Sequence, residues 1–339
     1  MTTNIFISGA TGYVAREIIG QAISKGYNVV GSVRSVEKGE RLKKSYGDQF
    51  NYEVVEVLER EGAFDEALKK HPEVTIFLHT ASPAIFSASD LERDILAPAI
   101  QGTKYVLQSI HSHAPQVERV VYTSSWGAIV SLSERSNPKF VGGEDVWNTI
   151  TYEESKIDGL HAYYGSKTFA ERAAWEFVEN NKPNFTLTAV NPVMIFGPQP
   201  RDEDVTETLN MTAEVVNSVL KLKKGDVIPK TEGNFVDVRD VGRAHLIAFE
   251  SDQTKGQRII VRTQRFSFQR ILDIVRENFP QFHEKLPEGE PHNYDFSIYS
   301  EINDKKSQKI LGFEHISLEK SVIDSIEQVL RVNKSGILA

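Results

Sequence analysis

The stretch Ile7-Ser8-Gly9-Ala10-Thr11-Gly12-Tyr13-Val14-Ala15 constrains this chain more than any other. Ahead of it, Ile5-Phe6-Ile7 reads as a short buried strand. Behind it, Ile18, Ile19, Ala22 and Ile23 recur at helical spacing from Ala15 to Lys25. A strand that runs straight into a helix needs small residues at the bend. Gly9 permits the sharp turn, Gly12 lets the backbone approach a bulky anion, and Ala15 lets the helix lie close to the strand. The first turn of such a helix offers free N–H groups and the positive end of the helix dipole. The stretch is therefore a candidate pyrophosphate site.

The rest of the chain repeats that rhythm. Strands are expected at Asn28–Val33, Tyr52–Leu58, Thr75–His79, Arg119–Thr123 and Phe185–Val190. Helical patterns lie at Glu37–Tyr46, Phe64–His71, Leu91–His111 and His161–Asn180. Alternation of this kind predicts an α/β fold, a parallel sheet with helices on both faces. Pro192, Gly197, Pro198 and Pro200 then break the rhythm. Beyond them helices are expected at Val205–Leu222, Asp240–Glu250, Ser267–Asn278 and Leu318–Val332, with strands at Phe235–Val238 and Arg258–Val261. Phe279–Tyr299, rich in Pro, His and Glu, reads as irregular. The last third is expected to form a smaller lobe.

Composition narrows the function. A formal charge of −8 argues against broad nucleic-acid or anionic-membrane binding. The absence of cysteine excludes disulfides, thiolate metal sites and cysteine nucleophiles. His111-Ser112-His113 lacks nearby ligand partners, so no metal site is expected. No apolar stretch is long enough to span a bilayer, and Asn4 and Gly9 interrupt the first apolar run, which argues against a signal peptide. A cytoplasmic protein, monomeric or homodimeric, is the expectation.

The second strand ends Gly31-Ser32-Val33-Arg34-Ser35. A nucleotide fold that prefers NAD carries an acid here for the ribose 2′-hydroxyl. Arg34, with Lys38 one turn on, instead suits a 2′-phosphate, so NADP is favoured.

Chemistry is expected from two stretches. Arg119 to Ser125 is a strand ending in hydroxyls, Thr123-Ser124-Ser125. Tyr163 and Lys167, four residues apart, share one face at the start of the long helix. An ammonium beside a phenol is expected to lower the phenol's pKa from its free value of about 10 and fit it for proton exchange. Tyr163 would then protonate a carbonyl oxygen that Ser125 also holds. Tyr152 and Lys156 repeat the spacing, but among acids ahead of Asp158-Gly159, as in an exposed loop.

Gly9-x-x-Gly12-x-x-Ala15, Thr123-Ser124-Ser125 and Tyr163-x-x-x-Lys167, in that order, resemble the extended short-chain dehydrogenases/reductases. His79-Thr80-Ala81-Ser82-Pro83, Tyr163 to Trp175, Ala189 to Val193, Ile195 to Gln199 and Asp237 to Val241 resemble its dihydroflavonol-reductase-like branch. The resemblance implies a Rossmann-type doubly wound sheet with a smaller C-terminal substrate lobe. It divides the chain into an NADP-binding domain, residues 1–192 with returning segments at about 234–264, and a lobe of residues 193–233 and 265–339. It implies Ser125, Tyr163 and Lys167 as a catalytic triad. It implies cofactor contacts from Gly9, Ala10, Thr11, Gly12, Tyr13, Val14, Arg34, Lys38, Ala81, Tyr163, Lys167, Pro192, Ile195 and Thr212. The family commonly carries Asp after the third strand, for the adenine amino group. Here Val57-Leu58 stand between Glu56 and Glu59, and Leu58 is the expected adenine neighbour.

The implied activity is NADPH-dependent reduction of aldehydes and ketones, with methylglyoxal, 3-methylbutanal and related hydrophobic carbonyls as candidate substrates. Phe86, Trp126, His161, Tyr164, Met194 and Val236 flank the catalytic stretches and form the expected substrate wall. Two alternatives share the fold: a sugar-nucleotide epimerase or dehydratase, and a non-catalytic NADP sensor. The first needs a clamp for a second pyrophosphate, which Arg201, Arg239, Arg243 and Arg262 do not obviously make. The second usually lacks the Tyr/Lys pair.

Overall fold

The computed structural model describes residues 3–82 and 88–334. In chain order its elements begin with β1 (Asn4–Ser8), α1 (Tyr13–Ser24), β2 (Asn28–Val33), α2 (Val36–Tyr46), β3 (Phe50–Val54), α3 (Asp65–Lys70), β4 (Ile76–His79), α4 (Ala97–His113) and β5 (Arg119–Thr123). They continue through β6 (Val141–Gly143), α5 (Gly159–Asn181), β7 (Thr186–Pro192), β8 (Met194–Phe196), α6 (Met211–Asn217), β9 (Glu232–Asp237) and α7 (Val238–Glu250). The last are β10 (Arg258–Val261), β11 (Gln264–Ser267), α8 (Phe268–Asn278), β12 (Glu301–Asn303), α9 (Lys305–Leu311) and α10 (Leu318–Lys334).

Two compact units result. The first comprises the described residues of Met1–Asn191, Gly242–Ile260 and Ser300–Leu311. Its seven-stranded sheet has the order β10-β7-β5-β4-β1-β2-β3. The ladders from β3 across to β7 are parallel. Winding starts at the centre with β1, runs outward to β3, then resumes on the other side with β4. The order thus reverses between β1 and β4, and ligands of open α/β sheets bind beyond the strand ends at such a point. Helices on the faces explain why the strands are continuous apolar runs and not alternating ones. Phe6 of β1 stacks on Phe77 of β4 at 5.1 Å and meets the edge of Phe64. These rings anchor a buried cluster that also takes in Val106 and Ile110 of α4 and Ala170 and Ala174 of α5.

β3 ends at Val54, short of the expected Leu58. Its partner β2 ends at Val33, which pairs with Val54, and only Val55 N still reaches Val33 O, at 2.8 Å. Val57 and Leu58 therefore lie beyond the sheet.

Ser300–Leu311 was expected in the smaller lobe but belongs to the first unit. β12 pairs in parallel with β6, Glu301 opposite Val141. Buried Glu144 accepts from Ser307 N and Oγ at 2.9 and 2.6 Å, and Ser307 Oγ accepts from Ile260 N. The carboxylate holds α9 in place.

The second unit comprises the described residues of Pro192–Val241, Val261–Tyr299 and Gly312–Ala339. A three-stranded sheet, β11-β9-β8, is its frame. β9 pairs with β8 in parallel and with β11 antiparallel, so residues 234–241, expected to return to the first domain, lie in the second unit. Phe196 meets Phe266 edge-on at 4.7 Å and stacks on Phe235. Ile271 and Leu272 of α8 and Val322 and Ile326 of α10 complete that core. The expected helix Val205–Leu222 shrinks to α6. Glu214 and Asn217 instead hold the preceding loop, accepting from Leu209 N at 2.8 Å and donating to Glu207 O at 3.4 Å. Among the described residues no helix is long and apolar enough to cross a membrane.

Candidate active site

The turn after β1 has the form a phosphate cradle requires. Gly9 adopts φ +70°, a conformation side chains resist, and Gly12 N donates to Gly9 O at 2.9 Å to close the turn. A Cβ on Gly9 would lie 2.9 Å from Ala81 Cβ, so glycine here also lets the loops after β1 and β4 touch. Ser32 of β2 steadies the turn, accepting from Gly9 N at 2.9 Å through Oγ and from Ala10 N through its carbonyl. Gly12 is the N-cap of α1, with no side-chain capping bond and no acid in the first turn. No side-chain cap or acid competes at that end of the helix, and Thr11 and Gly12 are exposed. Tyr13 and Val14 are half-buried; Ala10 and Ala15 are buried. Arg34 and Lys38 stand exposed at the end of β2 and the start of α2. A group carrying both a pyrophosphate and a 2′-phosphate fits this donor set.

Beneath the turn, Ser8 Oγ accepts from Thr80 N and Ala81 N, both at 3.1 Å, and contacts His79 Nδ1 at 2.8 Å. With its lone pairs taken, the hydroxyl gives its proton to His79 Nδ1, which fixes the Nε2–H tautomer. Burial and then the Lys167 charge push the His79 pKa down to about 3, so the ring is neutral.

The catalytic candidates meet where β5 ends and α5 begins. Asp158 caps α5, accepting from His161 N at 2.8 Å, and sets the phase that points Tyr163 at Ser125. Tyr163 Oη donates to Ser125 Oγ at 3.2 Å. Ser125 Oγ also accepts from Gly127 N at 3.1 Å, so its own proton remains available to a third group. Lys167 Nζ lies 5.9 Å from the centre of the Tyr163 ring, and the lysine is buried. Its position does not lower the phenol's pKa as expected. Burial pushes Tyr163 above the ordinary tyrosine value, the Ser125 hydrogen bond opposes this, and Tyr164 adds to it. Desolvation of the phenol is the dominant effect. The phenol stays protonated at neutral pH. Burial likewise brings the Lys167 ammonium down to about 8, against the pull of Glu171.

Tyr152 has a different setting. Its hydroxyl donates to Glu92 at 3.0 Å, and Lys156 pairs with Glu153 at 2.7 Å, with no catalytic serine in the set. Among the expected wall residues, His161 is held by Asp158 at 2.9 Å at the helix start. Trp126 is buried with its ring end over Gly142, where a Cβ would come within 2.2 Å. Tyr164 is buried beside Gly127. Val236 of β9 has no exposed surface, while Met194 is half-buried against the core that holds Phe196, Phe235 and Phe266. Phe86 lies outside the described residues. Leu58 is half-buried with Cδ1 over Gly102 of α4, and Ala81 packs on Gly9. Pro192 ends β7, Ile195 sits in β8, and Thr212 lies in the first turn of α6.

A supporting set escaped the sequence reading. Glu171, wholly buried on α5, accepts from Ser124 Oγ at 2.5 Å, Asn191 Nδ2 at 2.8 Å, Trp175 Nε1 at 3.2 Å and Arg258 Nε at 2.6 Å. Asn191 Nδ2 also donates to Ser125 O at 3.2 Å. Only the spacing of Glu171, four residues after Lys167, was visible in sequence.

A doubly wound sheet with a phosphate-shaped first turn, and Ser, Tyr and Lys gathered at the end of β5, defines a Rossmann-type nucleotide-binding protein with a hydroxyl-and-ammonium site. The chain belongs to the NAD dependent epimerase/dehydratase family, which it matches over residues 5–261. It is 43% identical to the NADPH-dependent methylglyoxal reductase of Saccharomyces cerevisiae over 339 residues, 97% of this chain and 98% of that protein. The solved NADPH complex of yeast methylglyoxal/isovaleraldehyde reductase matches with a TM-score of 0.94 at 42% identity, covering 98% of this chain and 99% of that one. A solved reductase, engineered to attenuate substrate inhibition in asymmetric catalysis, matches with a TM-score of 0.95 at 63% identity, covering 97% and 100%.

Proposed function

We propose that this protein is an NADPH-dependent carbonyl reductase that converts small hydrophobic aldehydes and ketones to alcohols, methylglyoxal and 3-methylbutanal among them. The observation that carries the reading is the Tyr163–Ser125 contact of 3.2 Å with Lys167 buried one turn away. Similarity over nearly the full length to reductases named for methylglyoxal and isovaleraldehyde supports the substrate class.

Bound NADPH would supply the hydride. Gly9, Ala10, Thr11, Gly12, Tyr13 and Val14 would hold its pyrophosphate, and Arg34 and Lys38 its 2′-phosphate. Lys167 would hold the nicotinamide ribose; Leu58, Ala81, Pro192, Ile195 and Thr212 are the remaining proposed contacts. Ser125 gives its free proton to a hydrogen bond with the substrate oxygen and positions it. Tyr163, kept protonated by burial, transfers its phenolic proton to that oxygen as negative charge develops there. The Lys167 ammonium favours the phenolate left behind. The test is incubation with NADPH and a panel of aldehydes and ketones, read as loss of reduced-nicotinamide absorbance. Consumption with NADPH and branched aldehydes supports the reading. No consumption across the panel, with conversion of a nucleotide sugar instead, would replace it with the epimerase.

A further inference from the structure

Lys167 keeps a positive charge in a place that resists charge. Its side chain is buried, and the groups facing it are few. On its own helix these are Tyr163, one turn back, and Glu171, one turn on. From β4 comes His79, held neutral by Ser8 and by burial. Tyr122 of β5 lies beside that His79 ring, and burial keeps its phenol un-ionised. Among the described residues Glu171 is thus the one carboxylate in the set, and it is fully buried.

Glu171 is not free to give its whole charge to the lysine. Arg258 of β10 approaches it through Nε at 2.6 Å and Nη2 at 3.3 Å. The same guanidinium donates to Glu144 O and Val146 O and stacks on Trp147 at 3.9 Å, so it is fixed from the other side. Ser124 and Asn191 hold the second carboxylate oxygen. A carboxylate tied on both oxygens cannot swing away, and its field at Lys167 depends on how far Arg258 cancels it.

We propose that Glu171 is a positioning residue that keeps Lys167 an ammonium, and that Arg258 sets the strength of that support by partly neutralising the carboxylate. This rests on the reading of Lys167 as a group of the active site.

The signs of the two substitutions test this. Glu171→Gln removes the negative charge, keeps the shape, and leaves Arg258 to repel Lys167, so the lysine should lose its proton at lower pH. Arg258→Met leaves Glu171 uncompensated, so the lysine should hold its proton to higher pH. Each shift should be about one pH unit or more, about tenfold in proton affinity. The readout is the 13Cε resonance of Lys167 in 13C-lysine-labelled whole protein, titrated without cofactor and assigned by its loss in Lys167→Met. Glu171→Asp and Arg258→Lys keep the charges and should titrate near wild type. Opposite shifts support the proposal. Shifts in one direction, or an unmoved Glu171→Gln midpoint, overturn it. Where Arg258→Met does not fold, the pair Glu171→Gln and Glu171→Asp decides: a fall in the first that the second restores supports the proposal, and equal midpoints overturn it. Turnover of Lys167→Met tests the reading of the site separately, since the titration does not depend on activity.

Discussion

Tyr163 and Tyr152 show how little a spacing says without its surroundings. Both stand four residues before a lysine, yet one donates to Ser125 and the other to Glu92. Tyr163→Phe keeps the ring and loses the proton, so turnover should fall roughly a hundredfold or more with the fold intact. Tyr152→Phe should keep its turnover within about twofold, since it removes only an exposed surface contact. Steady-state rates and thermal midpoints of both variants decide the assignment, and a dead Tyr152→Phe would reverse it. Arg34 is tested by charge. Arg34→Asp should lower the NADPH-to-NADH ratio of kcat/KM by roughly tenfold or more, because an acid replaces a charge-assisted phosphate contact. An unchanged ratio would remove Arg34 from the cofactor site.

Elements constrain glycine in opposite ways at two nearby positions. Gly31 sits in β2, where a Cβ would come within 2.5 Å of Ala10 Cβ and 2.8 Å of the Phe50 ring. Gly20 lies inside α1, with nothing within 4 Å. Gly31→Ala should therefore destabilise by about 1–3 kcal/mol through overpacking, and should weaken NADPH binding by pushing on Ala10. Gly20→Ala should stabilise by about 0.5–1 kcal/mol through helix propensity. Denaturant midpoints of the two variants should move apart; movement in the same direction would mean the turn is looser than its contacts imply.

The buried histidine makes the stability of the molecule depend on pH. His79 has a pKa of about 3 in the folded chain and about 6.5 when unfolded. Between those values the unfolded chain binds the extra proton, so stability is full above about 6.5 and is lost as pH falls toward about 3. His79→Gln should flatten that part of the profile, read as urea midpoints against pH. A slope as steep as wild type would place the lost stability in other groups.

The sequence by itself determined the sheet and the first turn, because strand–helix alternation and small residues at 9, 12 and 15 are local properties. It also determined the catalytic candidates, since Tyr163 and Lys167 meet through helix pitch alone. It misjudged β3, whose end is set by where β2 runs out of partners. It missed β12 and α9, because three residues of strand carry no period and only β6 and Glu144 give that segment a place. The protonation of the site was likewise decided in three dimensions. The expected lowering of Tyr163 follows from charge proximity, but burial outweighs it. The support beneath Lys167 joins residues 144, 171, 191 and 258, which no local pattern links and only packing brings together.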